Sequence, residues 1–183
     1  ATVHAERFAQ VLGSDRGEPS PVIASDGRAH PVAIHHHPPG PRDRPEAHAA
    51  RVIASALQRP ASGDVLAFLA GAADIRRVAE RLTAPGALPD EVDVRPLFGA
   101  LAPADQDAAL APSPPGRRRV VLATDIAESS LTVEGVRTVV DAGLVRVPRL
   151  DPITGMSRLQ TEPASVASTD QRAGRAGRVA PGV

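Results

Sequence analysis

The chain has 183 residues, 42% of them apolar, with 21 basic side chains against 21 acidic ones and a formal net charge of zero. Every basic residue is arginine and there is no cysteine, which excludes from this stretch a phosphate-loop, Schiff-base or kinase-type lysine, thiol nucleophiles, thiolate metal sites and disulfides. One α/β domain is the default for this length and composition, and no apolar run approaches the length of a membrane span.

From the amino end, HAERFAQVL puts Phe8 and Leu12 on one helical face. A Gly-, Pro- and Asp-rich stretch over 13–31 is interrupted by PVIAS and followed by PVAIHHH, two short strand candidates. An Ala-rich helix is expected from Pro45 to Leu57. The pattern then becomes regular. DVLAFLA (64–70) is a continuous apolar run ended by Gly71, and ADIRRVAERL (73–82) places Ile75, Val78, Ala79 and Leu82 on one helical face. VDVRPLF (92–98) ends at Gly99, and PADQDAAL reads as a helix with Pro103 in its first turn. RRRVVLAT (117–124) and VRTVVDAG (136–143) are further strands. Such alternation predicts an α/β fold, a parallel sheet flanked by helices on both faces. LVRVPRL (144–150) and MSRLQTE (156–162) flank the turn DPITG and predict a β-hairpin, after which SVASTDQRAGRAGR reads as the last helix.

Charge is uneven along this order. Residues 1–116 hold 11 Arg against 14 acidic residues, whereas residues 117–183 hold 10 Arg against 7. The partner of the basic third is expected to be anionic. Aromatics are limited to Phe8, Phe68 and Phe98, too few for base-stacking platforms, so a nucleic acid would be held by its backbone.

Ligands of open parallel sheets bind beyond the carboxyl ends of the strands. In VVLATDIAESSLT the residues Val120–Ala123 are the buried strand, and Thr124 and Asp125 fall where it leaves the sheet. The turn that follows carries Glu128, Ser129, Ser130 and Thr132, offering hydroxyl and backbone N–H groups to phosphate or ribose. Helix capping by Ser and Asp is the alternative reading. QRAGRAGR (171–178) sets three arginines at every third position. On a helix Arg175 and Arg178 would be about 60° apart and Arg172 about 120° from Arg178, so the arginines have at least two jobs. Gly174 and Gly177 each cost a helix about 1 kcal/mol relative to Ala, which makes sense where another backbone or a ligand comes close. The alternative is a solvated basic helix end with Ser168 and Gln171 as a capping box. His35–His37 reads as a polar edge strand in preference to a metal site, since no further ligand sits at a suitable spacing.

GDVLAFLAGAADI, PLFGALAPADQDAAL, VVLATDIAESSLTVEGVRTVVDAG and QRAGRAGR stand in the order and spacing of motifs IV to VI of DEAH-box ATP-dependent helicases, and the chain most resembles the bacterial HrpB-type RNA helicases. The opening ATVHAERFAQVLG resembles the end of the SAT motif III, so the chain resembles the second RecA-like lobe alone, with the P-loop NTPase superfamily fold and a hairpin insertion. The resemblance divides it into a lead-in over 1–60 and a helicase C-terminal domain over 61–183, truncated after motif VI.

The resemblance implies that Arg175 and Arg178 are arginine fingers on a triphosphate and that Gln171 contacts the γ-phosphate or its attacking water. Arg172 would position the motif within the domain, and the glycines, Gly174 among the nucleotide contacts, would let the helix approach the other lobe. Similarly, Thr124 and Asp125 would touch the RNA backbone, Ser130 would sense the nucleotide, and Thr132 and Glu134 would lie near the ribose. The hairpin matches one that sits at the duplex junction. ATP and Mg2+ are the implied cofactors, held mainly by the first lobe. The implied partners are RNA, the first lobe and C-terminal domains of the same protein, in the cytoplasm and away from membranes. The sequence departs from the family at Asp125 (usually Asn), Ser129 (usually Thr) and Ala70 (commonly Pro), and Leu110 replaces an aromatic that stacks on adenine in many relatives. The expected function is therefore the second lobe of a 3′-to-5′ RNA helicase, inactive in isolation. The rivals are a non-enzymatic RNA- or phosphate-binding module and a lobe of a superfamily 2 DNA translocase.

Overall fold

The computed structural model describes residues 5–13, 17–23, 30–58, 63–129 and 131–183. Its elements in chain order are α1 (Ala5–Val11), α2 (Pro45–Gln58), β1 (Asp64–Phe68), α3 (Ala72–Leu82), β2 (Val92–Leu97), α4 (Pro103–Leu110), β3 (Arg118–Ala123), α5 (Ile126–Ser129), β4 (Val136–Asp141), β5 (Leu144–Leu150), β6 (Ser157–Pro163) and α6 (Val166–Ala173).

Four strands form a sheet in the order β2-β3-β1-β4, all parallel, and β5 and β6 form a separate antiparallel pair. The period of two along β1 and β3 splits the core in half. Val65, Ala67, Val120 and Leu122 face α2 and α3 and pack with Ile53, Leu57, Ile75 and Val78. Leu66, Phe68, Val121 and Ala123 face the other way and pack with Ala109 of α4 and Ala127 of α5. Burial on both faces explains why these strands read as continuous apolar runs instead of alternating ones. With β1 and β3 central, the carboxyl ends of all four strands share one rim.

Three expectations are corrected. Residues 21–23 of PVIAS form no strand, and residues 24 and 25 lie outside the described residues. PVAIHHH makes only one isolated bridge, Val32 to Gly182. Pro21, Pro31 and Pro38 cannot donate to a ladder, and Val22, Ile23 and Ile34 stay exposed, so neither stretch has a sheet face to cover. The last helix also ends at Ala173. Beyond it the hydrogen bonds tighten from the i−4 to the i−3 spacing, Arg175 N–H to the Arg172 carbonyl and Ala176 N–H to that of Ala173, both at 3.0 Å. Its N-cap is Ser165, whose Oγ accepts from the Ser168 N–H at 3.2 Å, so the Ser168–Gln171 capping box of the alternative reading is not formed.

Candidate functional site

Motifs V and VI meet at the carboxyl rim. β3 delivers Thr124, whose N–H donates to the Leu97 carbonyl at 3.2 Å. The carbonyls of Thr124 and Asp125 accept from the N–H groups of Ala127 (3.3 Å) and Glu128 (2.9 Å), closing the single turn of α5. Thr124 is half-buried and Asp125 is exposed. Glu128 then points to α6. Its Oε2 accepts from Ser168 Oγ at 2.5 Å and from Arg172 Nε at 3.1 Å.

The three arginines of QRAGRAGR have separate environments. Arg172 is buried, donates from Nη1 to Asp141 Oδ1 at 2.9 Å and lies 5.0 Å from the centroid of the Phe68 ring. Two carboxylates and an aromatic face offset the removal of its charge from water. Arg175 is also buried. Its Nε donates to the Glu128 carbonyl at 2.9 Å, its Nη2 to the same oxygen, and its Nη1 to the Leu131 carbonyl at 2.7 Å. This leaves one N–H free on each terminal nitrogen. Burial pushes the Arg175 guanidinium down from its ordinary pKa, the nearby charge of Arg178 adds to this and Glu128 opposes it. Arg178 is exposed and donates to Thr132 Oγ1 at 3.2 Å. Because the helix ends at Ala173, it is the turn 174–178 that sets the directions of Arg175 and Arg178, and the angular spacing expected for a continuous helix does not apply.

The glycines differ in the same way. A Cβ on Gly177 would lie 2.5 Å from the His30 carbonyl oxygen and 2.8 Å from Val32 Cγ2. The backbone that comes close to Gly177 is therefore the chain's own segment 30–32, which bears out the reading that a glycine here admits another backbone. A Cβ on Gly174 would meet only carbonyls of its own helix, Asp170 and Gln171 at 3.4 Å, and Gly174 is exposed.

Of the other expected site residues, Gln171 is half-buried on α6 beside Arg172, and Thr132 is exposed beside Arg178. Glu134 is not brought to them. Its carbonyl accepts from Arg119 Nη2 at 2.7 Å, next to Asp64 at the opposite, amino-terminal edge of the sheet. Ser130 lies outside the described residues. His35–His37 are exposed, and the described residues contain no group of three or more His, Cys, Asp or Glu able to hold a metal ion. Leu110 packs against the second half of the core. No helix among the described residues is long and apolar enough to cross a membrane.

Sequence reasoning missed the buried charges. Arg119 is fully buried and donates from its backbone N–H and from Nε to the two oxygens of Asp64 at 3.0 and 2.7 Å, and from Nη1 to the carbonyls of Ala109, at 3.0 Å, and Ala111. The available signal was a charged residue inside each of two apolar strand runs, Asp64 ahead of VLAF and Arg119 ahead of VVLA. Asp141, at the end of β4, gave the same signal.

Residues 48–180 match the family described as helicase conserved C-terminal domain. The chain is 44% identical over 183 residues to ATP-dependent RNA helicase HrpB of Escherichia coli strain K12, the match taking in 100% of the chain and 22% of that protein. It is 36% identical over 190 residues to a probable ATP-dependent RNA helicase DHX35 homolog of Caenorhabditis elegans, again over 100% of the chain but 26% of the relative. The crystal structure of E. coli DExH-box NTPase HrpB superposes with a TM-score of 0.81 at 47% identity, over 89% of this chain and 20% of that one. The chain thus spans a minor part of the length of each relative.

Proposed function

The chain belongs to the helicase conserved C-terminal domain family, and from that premise we propose that it is the second RecA-like lobe of an ATP-dependent RNA helicase. The observation that carries this reading is the pair Arg175 and Arg178 on one turn, the first buried and the second exposed, with the turn fastened to the α5 loop. Burial, and after it the charge of Arg178, depress the Arg175 pKa and Glu128 only opposes them, so the two guanidinium groups on one turn favour a further counter-charge. An anion arriving at the rim relieves that repulsion. A planar, permanently charged fork suits a phosphoryl group whose equatorial oxygens gain charge during transfer.

On this reading Arg178 is the finger presented to a triphosphate held by the other lobe, and Gln171 orients the attacking water. Arg175 holds the α5 loop through two carbonyls and keeps one N–H on each terminal nitrogen for phosphate. Gly174, open on its outer side, allows the approach. Thr132 belongs to the same edge, Ser130 is assigned the sensing of the nucleotide, and Thr124 and Asp125 contact RNA backbone. Glu134 reaches a ribose only if the nucleotide extends toward the amino-terminal edge. ATP, when bound, supplies the phosphoryl group whose transfer drives movement along RNA. Mg2+ would be held by the other lobe, and the described residues bring together no carboxylate set for it. The domain spans 61–183 with α2 packed onto its core, the partners are RNA and the remaining domains of a longer protein, and the location is cytoplasmic.

The test is RNA-stimulated ATP hydrolysis and strand separation by the full-length protein on duplexes with a 3′ or a 5′ overhang. The helicase reading expects turnover and a preference for the 3′ overhang. Tight, steeply salt-dependent RNA binding without turnover would instead identify a binding module, and equal or better action on DNA a DNA translocase.

A further inference from the structure

The hairpin β5–β6 pairs with itself and not with the four-stranded sheet, and hydrogen bonds tie its base to the rim. There the Ala164 N–H donates to the Gly143 carbonyl at 2.8 Å, and the Gly143 N–H donates to Asp141 Oδ1, also at 2.8 Å. Arg172 reaches the same place. Its Nη1 donates to Asp141 Oδ1 at 2.9 Å and to the carbonyl of Leu144, the first residue of β5, at 3.3 Å. The other side of that guanidinium holds Glu128 at 3.1 Å, and the Glu128 carbonyl holds Arg175.

We propose that Arg172 and Asp141 are positioning residues that couple the arginine-bearing rim to the base of the hairpin. One buried cation shared between Glu128 and Asp141 cannot follow one carboxylate without changing its contact with the other. Asp141 also provides for a second arrangement, because its Oδ2 is buried with no hydrogen-bond partner while Oδ1 takes both Arg172 and Gly143. A small shift of Arg172 toward Oδ2 fills that orphaned acceptor and loosens Leu144, giving two discrete packings of the kind that transmit a coupling. An anion that draws on Arg175 disturbs Glu128, and through it the link to Leu144. This coupling rests on the proposed helicase function for its direction, from nucleotide to RNA, but the linkage itself is a property of these residues.

The test uses the full-length protein with Asp141→Asn, nearly isosteric, and Arg172→Lys, whose single ammonium cannot bridge both carboxylates. RNA-stimulated ATP hydrolysis, strand separation and hydrogen exchange of the amides at 143–150, with and without a non-hydrolysable ATP analogue, are measured together. In Asp141→Asn, hydrolysis is retained while strand separation per ATP falls by about fivefold or more, the lower end of ordinary coupling strengths. The analogue-dependent exchange difference at 143–150, present in the unaltered protein, disappears in both variants. Hydrolysis and strand separation falling in proportion, or an exchange difference that persists in Asp141→Asn, overturns the proposal. An unaltered protein that shows the exchange difference but separates no strands overturns the helicase reading and leaves the linkage standing.

Discussion

The His30 N–H donates to the Gly177 carbonyl at 2.8 Å, joining a segment far from motif VI in sequence to the turn that carries Arg175 and Arg178. The strap continues, with Gly182 N–H on the Pro31 carbonyl (3.0 Å) and Ala33 N–H on the Gly182 carbonyl (2.9 Å). A Cβ at 177 would press on the backbone of His30, which cannot rotate away as a flexible side chain can. Gly177→Ala therefore displaces the strap or the turn, at a cost of about 1–3 kcal/mol as for other overpacked sites. Gly174→Ala, with open space outside, should leave stability nearly unchanged. Thermal melting of the two variants checks this, and equal destabilisation would show that the strap is not what requires glycine at 177.

Arg119 and Asp64 form the pair that closes the opposite edge of the sheet. Removing one partner leaves the other charged and buried, so Arg119→Met alone should cost about 3–5 kcal/mol. Asp64→Asn should cost a comparable amount, because the amide offers Arg119 one acceptor in place of two, turns an N–H toward a donor and leaves the buried guanidinium without its counter-charge. Denaturant midpoints of the two variants measure this. Near-wild-type stability for Arg119→Met would mean that Asp64 finds other hydrogen-bond partners there without penalty.

The hairpin has an acid-sensitive contact. Its register sets Arg149 directly opposite Arg158, a like-charge pair, and Arg149 turns to fork onto Glu162 with two contacts of 2.7 Å. The hydrogen bond from Arg149, with its charge, holds the Glu162 carboxyl below the ordinary carboxylate range, partly offset by desolvation. A depressed folded pKa means that the stabilisation is present above the ordinary carboxyl pKa and is lost as pH falls through the depressed value. Glu162→Gln should be less stable than the unaltered chain near neutrality and converge with it at acid pH. Because the pair is exposed, the difference should also shrink with added salt. Melting curves across pH, at low and high salt, would show whether the two profiles converge.

Much of the fold was legible because its two central strands, β1 and β3, are buried on both faces. The runs DVLAF, VDVRPL and RRVVLA each end at the rim within a residue or two of where composition alone set them. In the amino-terminal third α1 and α2 stand where helices were expected, but PVIAS and PVAIHHH were misread, since short apolar runs resemble strands whether or not a sheet partner is there to pair with them. Motif VI was half legible. Its arginines announced an anion site, but a helix reading overran Ala173 because the capture of Gly177 and Gly182 by residues 30–33 is a long-range contact with no local signature. The charged residues of the strand runs were visible in the sequence, but their partners were hidden for the same reason. A lone Asp141 at a strand end looks like a turn residue until α6 brings Arg172 against it.

The three arginines of motif VI give the sharpest test, because their burial differs while their chemistry is the same. Arg178 is exposed and, among the described residues, donates to Thr132 Oγ1 alone, so Arg178→Ala in the full-length protein should leave folding intact and lower ATP turnover by about 10³ to 10⁵, the usual worth of an arginine finger. Arg172→Ala removes the partner of two carboxylates and should act first on stability. Arg175→Ala should do both, losing phosphate contact and releasing the carbonyls of Glu128 and Leu131. Lysine at 178 should rescue poorly, since a point charge does not reproduce the fork. RNA affinity, measured at two salt concentrations, should barely change for Arg178→Ala. If that variant hydrolyses ATP normally but binds RNA weakly with a flattened salt slope, Arg178 is a backbone clamp and the binding-module reading becomes the better account of QRAGRAGR.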